Sequence, residues 1–121
     1  MPASSAYLAL VRATTNSTCA RLDFTIERLD DVTLAVDEAV SLLIGDAVPG
    51  TPVRCRWIPT DTGVQITITT VSSAQRAPRS TTFAWTVLAA LVDEASSTYT
   101  DPEVVVTLSA ARDWAQSDSV A

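Results

Sequence analysis

The chain has 121 residues and no histidine, so any catalysis has to run on carboxylates, arginines, hydroxyls or a cofactor. No Ser-His-Asp or Cys-His arrangement is possible, nor a zinc site with imidazole ligands. One carboxylate stands apart by its neighbours. Glu38 lies in the stretch Leu34-Ala35-Val36-Asp37-Glu38-Ala39-Val40-Ser41-Leu42. At roughly 100° per residue of helix it sits about 200° from Val36, away from the main apolar stripe. Asp31, Leu34, Leu42 and Gly45 share its side. A carboxylate between two leucines can occupy a partly apolar pocket, where desolvation raises its pKa. It can equally be a surface glutamate whose flanking leucines meet a partner.

Other groups with chemical potential are more dispersed. Arg54 and Arg56 alternate with Val53, Cys55 and Trp57, and Gln65, Thr67 and Thr69 alternate with Val64, Ile66 and Ile68. The five polar residues form either a partner-binding patch or a solvated sheet face. Arg76 and Arg79 lie in a loop-like segment. Cys19 and Cys55 match neither a CxxC nor a metal pattern, and read either as two small buried thiols or as a disulfide or redox switch. Trp57 and Trp85 read as core, and Trp114 as a tail anchor.

The elements that must position these groups follow from hydrophobic periodicity. Residues 6–22 predict a helix with Tyr7, Leu10, Val11, Thr14 and Thr18 near one stripe. Residues 25–46 predict a stronger one, on Ile26, Leu29, Thr33, Val36, Val40 and Leu43, stopped by Gly45 and Pro49-Gly50. Residues 52–58 and 64–71 alternate with period two around Pro59-Thr60-Asp61-Thr62-Gly63 and predict a hairpin. Residues 72–80 predict a loop. Phe83, Val87, Leu88, Leu91 and Ala95 predict a third helix, and Glu103 to Ser109 a further strand. The expected order is α-α-β-β-α-β. It gives an α+β fold, a two-layer sandwich whose mainly antiparallel sheet is covered on one face by helices. Residues 1–111 form one domain and 112–121 a polar tail.

Composition bounds the partners. The net charge is −6, with 47% hydrophobic and 18% charged residues. The balance is that of a globular domain. The acidity argues against direct nucleic-acid binding and against an anionic membrane surface, and suits a partner with a basic face. There is no basic segment followed by an apolar one at the start, and no run of about 18 apolar residues, so a cytoplasmic location is expected.

The segment from Leu34 to Ile44 resembles the N-box helix of histidine-kinase-like ATPases. It is most similar to the branch of anti-sigma factors with serine-kinase activity, the RsbW-type switch proteins. Pro2-Ala3-Ser4-Ser5-Ala6-Tyr7-Leu8, Ala20-Arg21-Leu22-Asp23-Phe24-Thr25 and Phe83-Ala84-Trp85-Thr86-Val87-Leu88-Ala89-Ala90-Leu91 resemble actinobacterial members of that branch. The similarity runs in unbroken order over nearly the whole chain. In the family a strand precedes the first helix; here it is missing or reduced to residues 1–4.

The resemblance implies an anti-sigma regulatory factor. Such a protein sequesters a sigma factor of RNA polymerase as a homodimer and releases it to a competing anti-anti-sigma protein. The alternative it implies is an ATP-dependent serine kinase acting on that anti-anti-sigma protein. The family pattern is a Glu, the general base, followed four residues later by an Asn that holds magnesium. Glu38 matches the Glu; the Asn position is Leu42. Leu34, Glu38 and Leu42 are then the face of a remnant nucleotide pocket. The family's Asp-x-Gly-x-Gly box is replaced by Ser72-Ser73-Ala74-Gln75-Arg76, and its second Gly-rich box by Arg79-Ser80-Thr81-Thr82-Phe83. No glycine follows Gly63. Glycine serves where backbone must approach a phosphate closely. No cofactor and no metal are therefore expected, with Mg-ATP implied only by the kinase alternative.

Overall fold

A computed structural model describes residues 5–72, 77 and 82–112. Helices α1 (Ser5–Arg21) and α2 (Ile26–Asp46) lead into the hairpin β1 (Arg54–Pro59) and β2 (Gly63–Val71). Helix α3 (Phe83–Leu91) and the strands β3 (Glu94–Thr100) and β4 (Glu103–Ala111) follow. The sheet is antiparallel throughout, in the order β1-β2-β4-β3. It is the expected α+β sandwich.

Each helix has a local cause. In α2, Thr25 is extended and its hydroxyl accepts from the Arg28 amide at 3.1 Å. That satisfies one of the amides a helix start leaves unpaired. Thr82 does the same for the Trp85 amide in α3. The inward stripe of α1 is Tyr7, Val11, Thr15 and Cys19, all buried. It is shifted from the expected one: Leu10 is 47% exposed. The polar member, Thr15, is satisfied twice, donating to the Val11 carbonyl at 2.8 Å and accepting from the Trp57 indole at 3.0 Å.

The core lies between α2 and the centre of the sheet. Val36, Val40 and Leu43 are buried in one cluster with Ile66, Ile68 and Val106. On the other sheet face stand Gln65, Thr67, Thr69, Val105, Thr107 and Ser109, of which Thr67 pairs directly with Thr107. At the end of β2, Gly63 pairs with Ala111. A Cβ on Gly63 would lie 2.0 Å from the Ala110 carbonyl oxygen. A glycine is required here by close backbone approach.

Two expectations about elements need correction. The third helix ends at Leu91, not at Ala95, and a strand absent from the expected order, β3, follows it. Its inward residues are Ala95, Ser97 and Tyr99, only partly buried. An edge strand with so small an apolar face leaves a weak period-two signal. The strand remnant at residues 1–4, most of the 72–80 loop and the tail with Trp114 lie outside the described residues, as do Arg76 and Arg79.

Candidate functional site

Helix α3 packs alongside α2. The side of α2 that faces it is marked by Arg28, whose guanidinium reaches the Leu91 carbonyl at the end of α3. On that side, at helical spacing from Arg28, lie Ala35 and Ala39, both fully buried. Trp85, Leu88 and Val92 are buried in the same cluster. Alanines at such positions let a second helix come close.

Glu38 and Leu42 sit one step further round α2, toward solvent. Glu38 is half-buried and, among the described residues, has no hydrogen-bond or ion-pair partner. Leu42 is partly buried and packs on the core, whereas Leu34 is 46% exposed. The three share one flank, but only Leu42 turns inward. Asp37, the neighbour of Glu38, points to α1 and pairs with Arg12 at 2.7 Å. Magnesium takes oxygen ligands in octahedral geometry. The residue one turn beyond Glu38 offers a hydrocarbon side chain. The described donors on this flank therefore do not fit Mg-ATP, and no chemical step through it is derived.

A residue that periodicity did not single out joins the ends of three elements. Arg28 is 2% exposed. Its Nε donates to the Ala111 carbonyl at 2.9 Å, one terminal nitrogen to Leu91 at 3.0 Å and the other to the Asp93 carboxylate at 2.8 Å. The same Asp93 oxygen accepts from the Ala111 amide. The planar fork of arginine suits such multiple contacts. In sequence Arg28 is one more charge in the first turn of a helix. Its partners are 63 to 83 residues away, and no local signal could reveal them.

The second candidate region surrounds β1. An open groove of about 740 Å³ runs between α1 and this strand. Tyr7, Leu10, Val11 and Thr14 line it from α1, and Val53 with residues 54–57 of the strand from the other side. The Tyr7 hydroxyl donates to the Val53 carbonyl at 2.9 Å and lies 3.2 Å from the Cys55 sulfur. Burial is the largest cause that pushes both the Tyr7 phenol and the Cys55 thiol up from their ordinary pKa values. Arg54 and Arg56 stand exposed on the groove's far rim, on the helix-free side of the sheet. Arg54 pairs with Glu103 at 2.7 Å. Arg56 has no ion-pair partner among the described residues. The remnant flank and the arginines thus occupy different regions of the molecule. No cysteine is in a disulfide: Cys19 is buried and Cys55 half-buried.

Among the described residues, three helices on one face of a four-stranded antiparallel sheet, the middle helix carrying a glutamate on its flank, define a two-layer sandwich of the ATPase-domain kind. The chain belongs to the histidine kinase-like ATPase domain family, whose model matches residues 1–110. A search of curated proteins finds no match to it.

Proposed function

We propose that this member of the family is a binding regulator of the RsbW-type branch. It is an anti-sigma factor that sequesters a sigma factor as a homodimer in the cytoplasm and yields it to an anti-anti-sigma protein. The observation that carries this reading is Leu42. A family scaffold is kept while the position of the magnesium ligand is hydrocarbon and packs on the core. A scaffold that has lost its metal contact can still present surfaces. The net charge of −6 favours a partner with a basic face, as a DNA-binding region of sigma has.

Mixing the purified chain with candidate sigma factors, followed by light scattering and a reconstituted transcription assay, tests the reading. A stable complex of two copies of the chain with sigma, and loss of transcription, is the expected result. Calorimetry with Mg-ATP completes the test. No binding tighter than millimolar is expected. A micromolar dissociation constant, with phosphate transfer to an anti-anti-sigma protein that Glu38→Gln abolishes, establishes the kinase instead.

A further inference from the structure

The outward face of α2 carries charge that the fold does not use. At roughly 100° per residue, Glu27, Asp31, Leu34 and Glu38 fall within about 60° of one another, with Asp30 at the margin. The stripe runs along about 16 Å of helix. Among the described residues, Glu27, Asp30, Asp31 and Glu38 have no hydrogen-bond or ion-pair partner. Arg28, the only cation of α2, is buried and turned to Asp93, and Arg12 of α1 holds Asp37. Helix α3, which packs alongside, contains no charged residue.

The helix's own needs account for only part of this charge. Glu27 stands in the first turn, where the helix dipole favours a carboxylate. Asp30 and Asp31 lie beyond that turn, three and four residues from Glu27, and like charges at these spacings oppose helix formation. No three of the carboxylates converge on a metal site among the described residues. Leu34, exposed in their midst, gives the stripe an apolar centre.

We infer that this stripe of α2 is the docking surface for a basic amphipathic helix of a partner protein, one whose arginines or lysines flank a short apolar ridge. The inference rests on the proposed binding regulator with a basic partner and names the surface that partner meets. The ridge would lie on Leu34. Cations one turn to either side would meet Asp31, three residues before it, and Glu38, four after. Anchors at such spacings are the ordinary terms of recognition for an amphipathic helix, and opposite charges beside them set its register. Charge rejects the other occupants. A second copy presenting the same stripe would oppose carboxylate to carboxylate. Nucleic acid or an anionic membrane would meet a protein of net charge −6.

Three capped, alanine-based peptides of three helical turns test the proposal. One has a leucine ridge flanked by arginines. The second has glutamates in place of the arginines. The third is a scramble of the first that keeps its composition and disperses the ridge. Binding to the full chain is followed by fluorescence anisotropy at about 0.15 M salt. The first peptide is expected to bind saturably, one per chain and at least tenfold more tightly than the scramble, and the glutamate peptide should not bind. Asp31→Asn and Leu34→Ala, both checked for an unaltered melt, should each weaken the first peptide at least fivefold. Glu94→Gln removes the same charge from exposed strand β3 and should leave binding within twofold.

Equal binding of the ridged and scrambled peptides overturns the proposal. So does an equal loss in Asp31→Asn and Glu94→Gln, because diffuse attraction to an acidic protein then explains the binding. Absence of saturable binding overturns it as well. No sigma factor enters the experiment. A sigma complex that forms while the peptide fails leaves the regulator standing and this surface wrong. A peptide that binds while no sigma factor does leaves the surface standing and removes sigma as its partner.

Discussion

Replacing Arg28 by methionine keeps a long stem between α2 and the sheet end and deletes the fork. The hydrogen bonds to Ala111, Leu91 and Asp93 are lost. Bonds involving a charged donor contribute about 1.5–3 kcal/mol each. The arginine is 2% exposed, but Asp93 is 24% exposed and recovers water when its partner goes, so its share is small. The methionine also avoids the desolvation that a buried guanidinium costs. A net loss of about 3–4 kcal/mol remains, carried by the two carbonyls at the end of α3 and of β4. At this chain length each kcal/mol moves Tm by roughly 3–5 °C, so a fall of about 10–15 °C is expected by differential scanning calorimetry. Arg28→Lys keeps the charge without the fork and should fall about halfway. Asp93→Asn retains an oxygen for the Ala111 amide and should cost about 1–2 kcal/mol. In the double variant the two losses should not add, because the groups form one network. A fall of less than about 4 °C for Arg28→Met refutes the assignment of Arg28 as the joint between these elements.

Gly63→Ala forces its Cβ into the Ala110 carbonyl, and a loss of at least about 2 kcal/mol in urea unfolding is expected. Val40, fully buried in the α2–sheet interface, should not tolerate aspartate; a Val40→Asp variant that is soluble and melts cooperatively contradicts the packing described. Glu38 has no hydrogen-bond or ion-pair partner among the described residues, so Glu38→Leu should change stability by less than about 1 kcal/mol or raise it slightly, and a larger loss in calorimetry would reveal a further contact. Burial pushes the Cys19 thiol up to about 11, partly offset by Arg28. Between an ordinary thiol value near 9 and 11, the unfolded chain has released this proton and the folded chain holds it, so stability falls as pH rises through that window. Cys19→Ala should flatten the fall in Tm from pH 9 to 11, and an unchanged slope removes Cys19 as its source.

How far the sequence reveals the fold depends on how much apolar surface each element offers. α2, β2 and β4 bury long, regular stripes, and β1 alternates Cys55 and Trp57 with arginines, so their periods are plain. β3 buries alanine, serine and tyrosine at an edge, so its alternation is faint and its first residues read as a continuation of α3. α1 reads as a helix in the sequence, but its inward face is expected one step round, through Leu10, Thr14 and Thr18, because an exposed leucine draws the apolar stripe toward itself while Thr15 is the threonine that is buried. A hydroxyl in the core looks surface-like until its two partners, Val11 and Trp57, are known. The site shows the same division. The leucine at position 42 is a fact of local sequence and was legible. Arg28 was not, since its role comes from three elements that meet only in the folded chain. The groove at β1 depends on how α1 lies over the strand, which no local pattern specifies.

The pinch at Gly63 also works as a proofreading device for assembly. β2 and β4 form the middle of the sheet, yet about 30 residues separate the end of one from the start of the other. Nothing local aligns them when they first meet. A slip of one residue would turn the buried face of β2 outward, and it would bring Thr62 or Val64 to the place where only a hydrogen atom fits. Slips of two residues keep the face but still put a side chain there, because no other glycine lies between Gly50 and the end of the chain. Apolar patterning thus rejects the odd misalignments, and one missing side chain rejects the even ones as well.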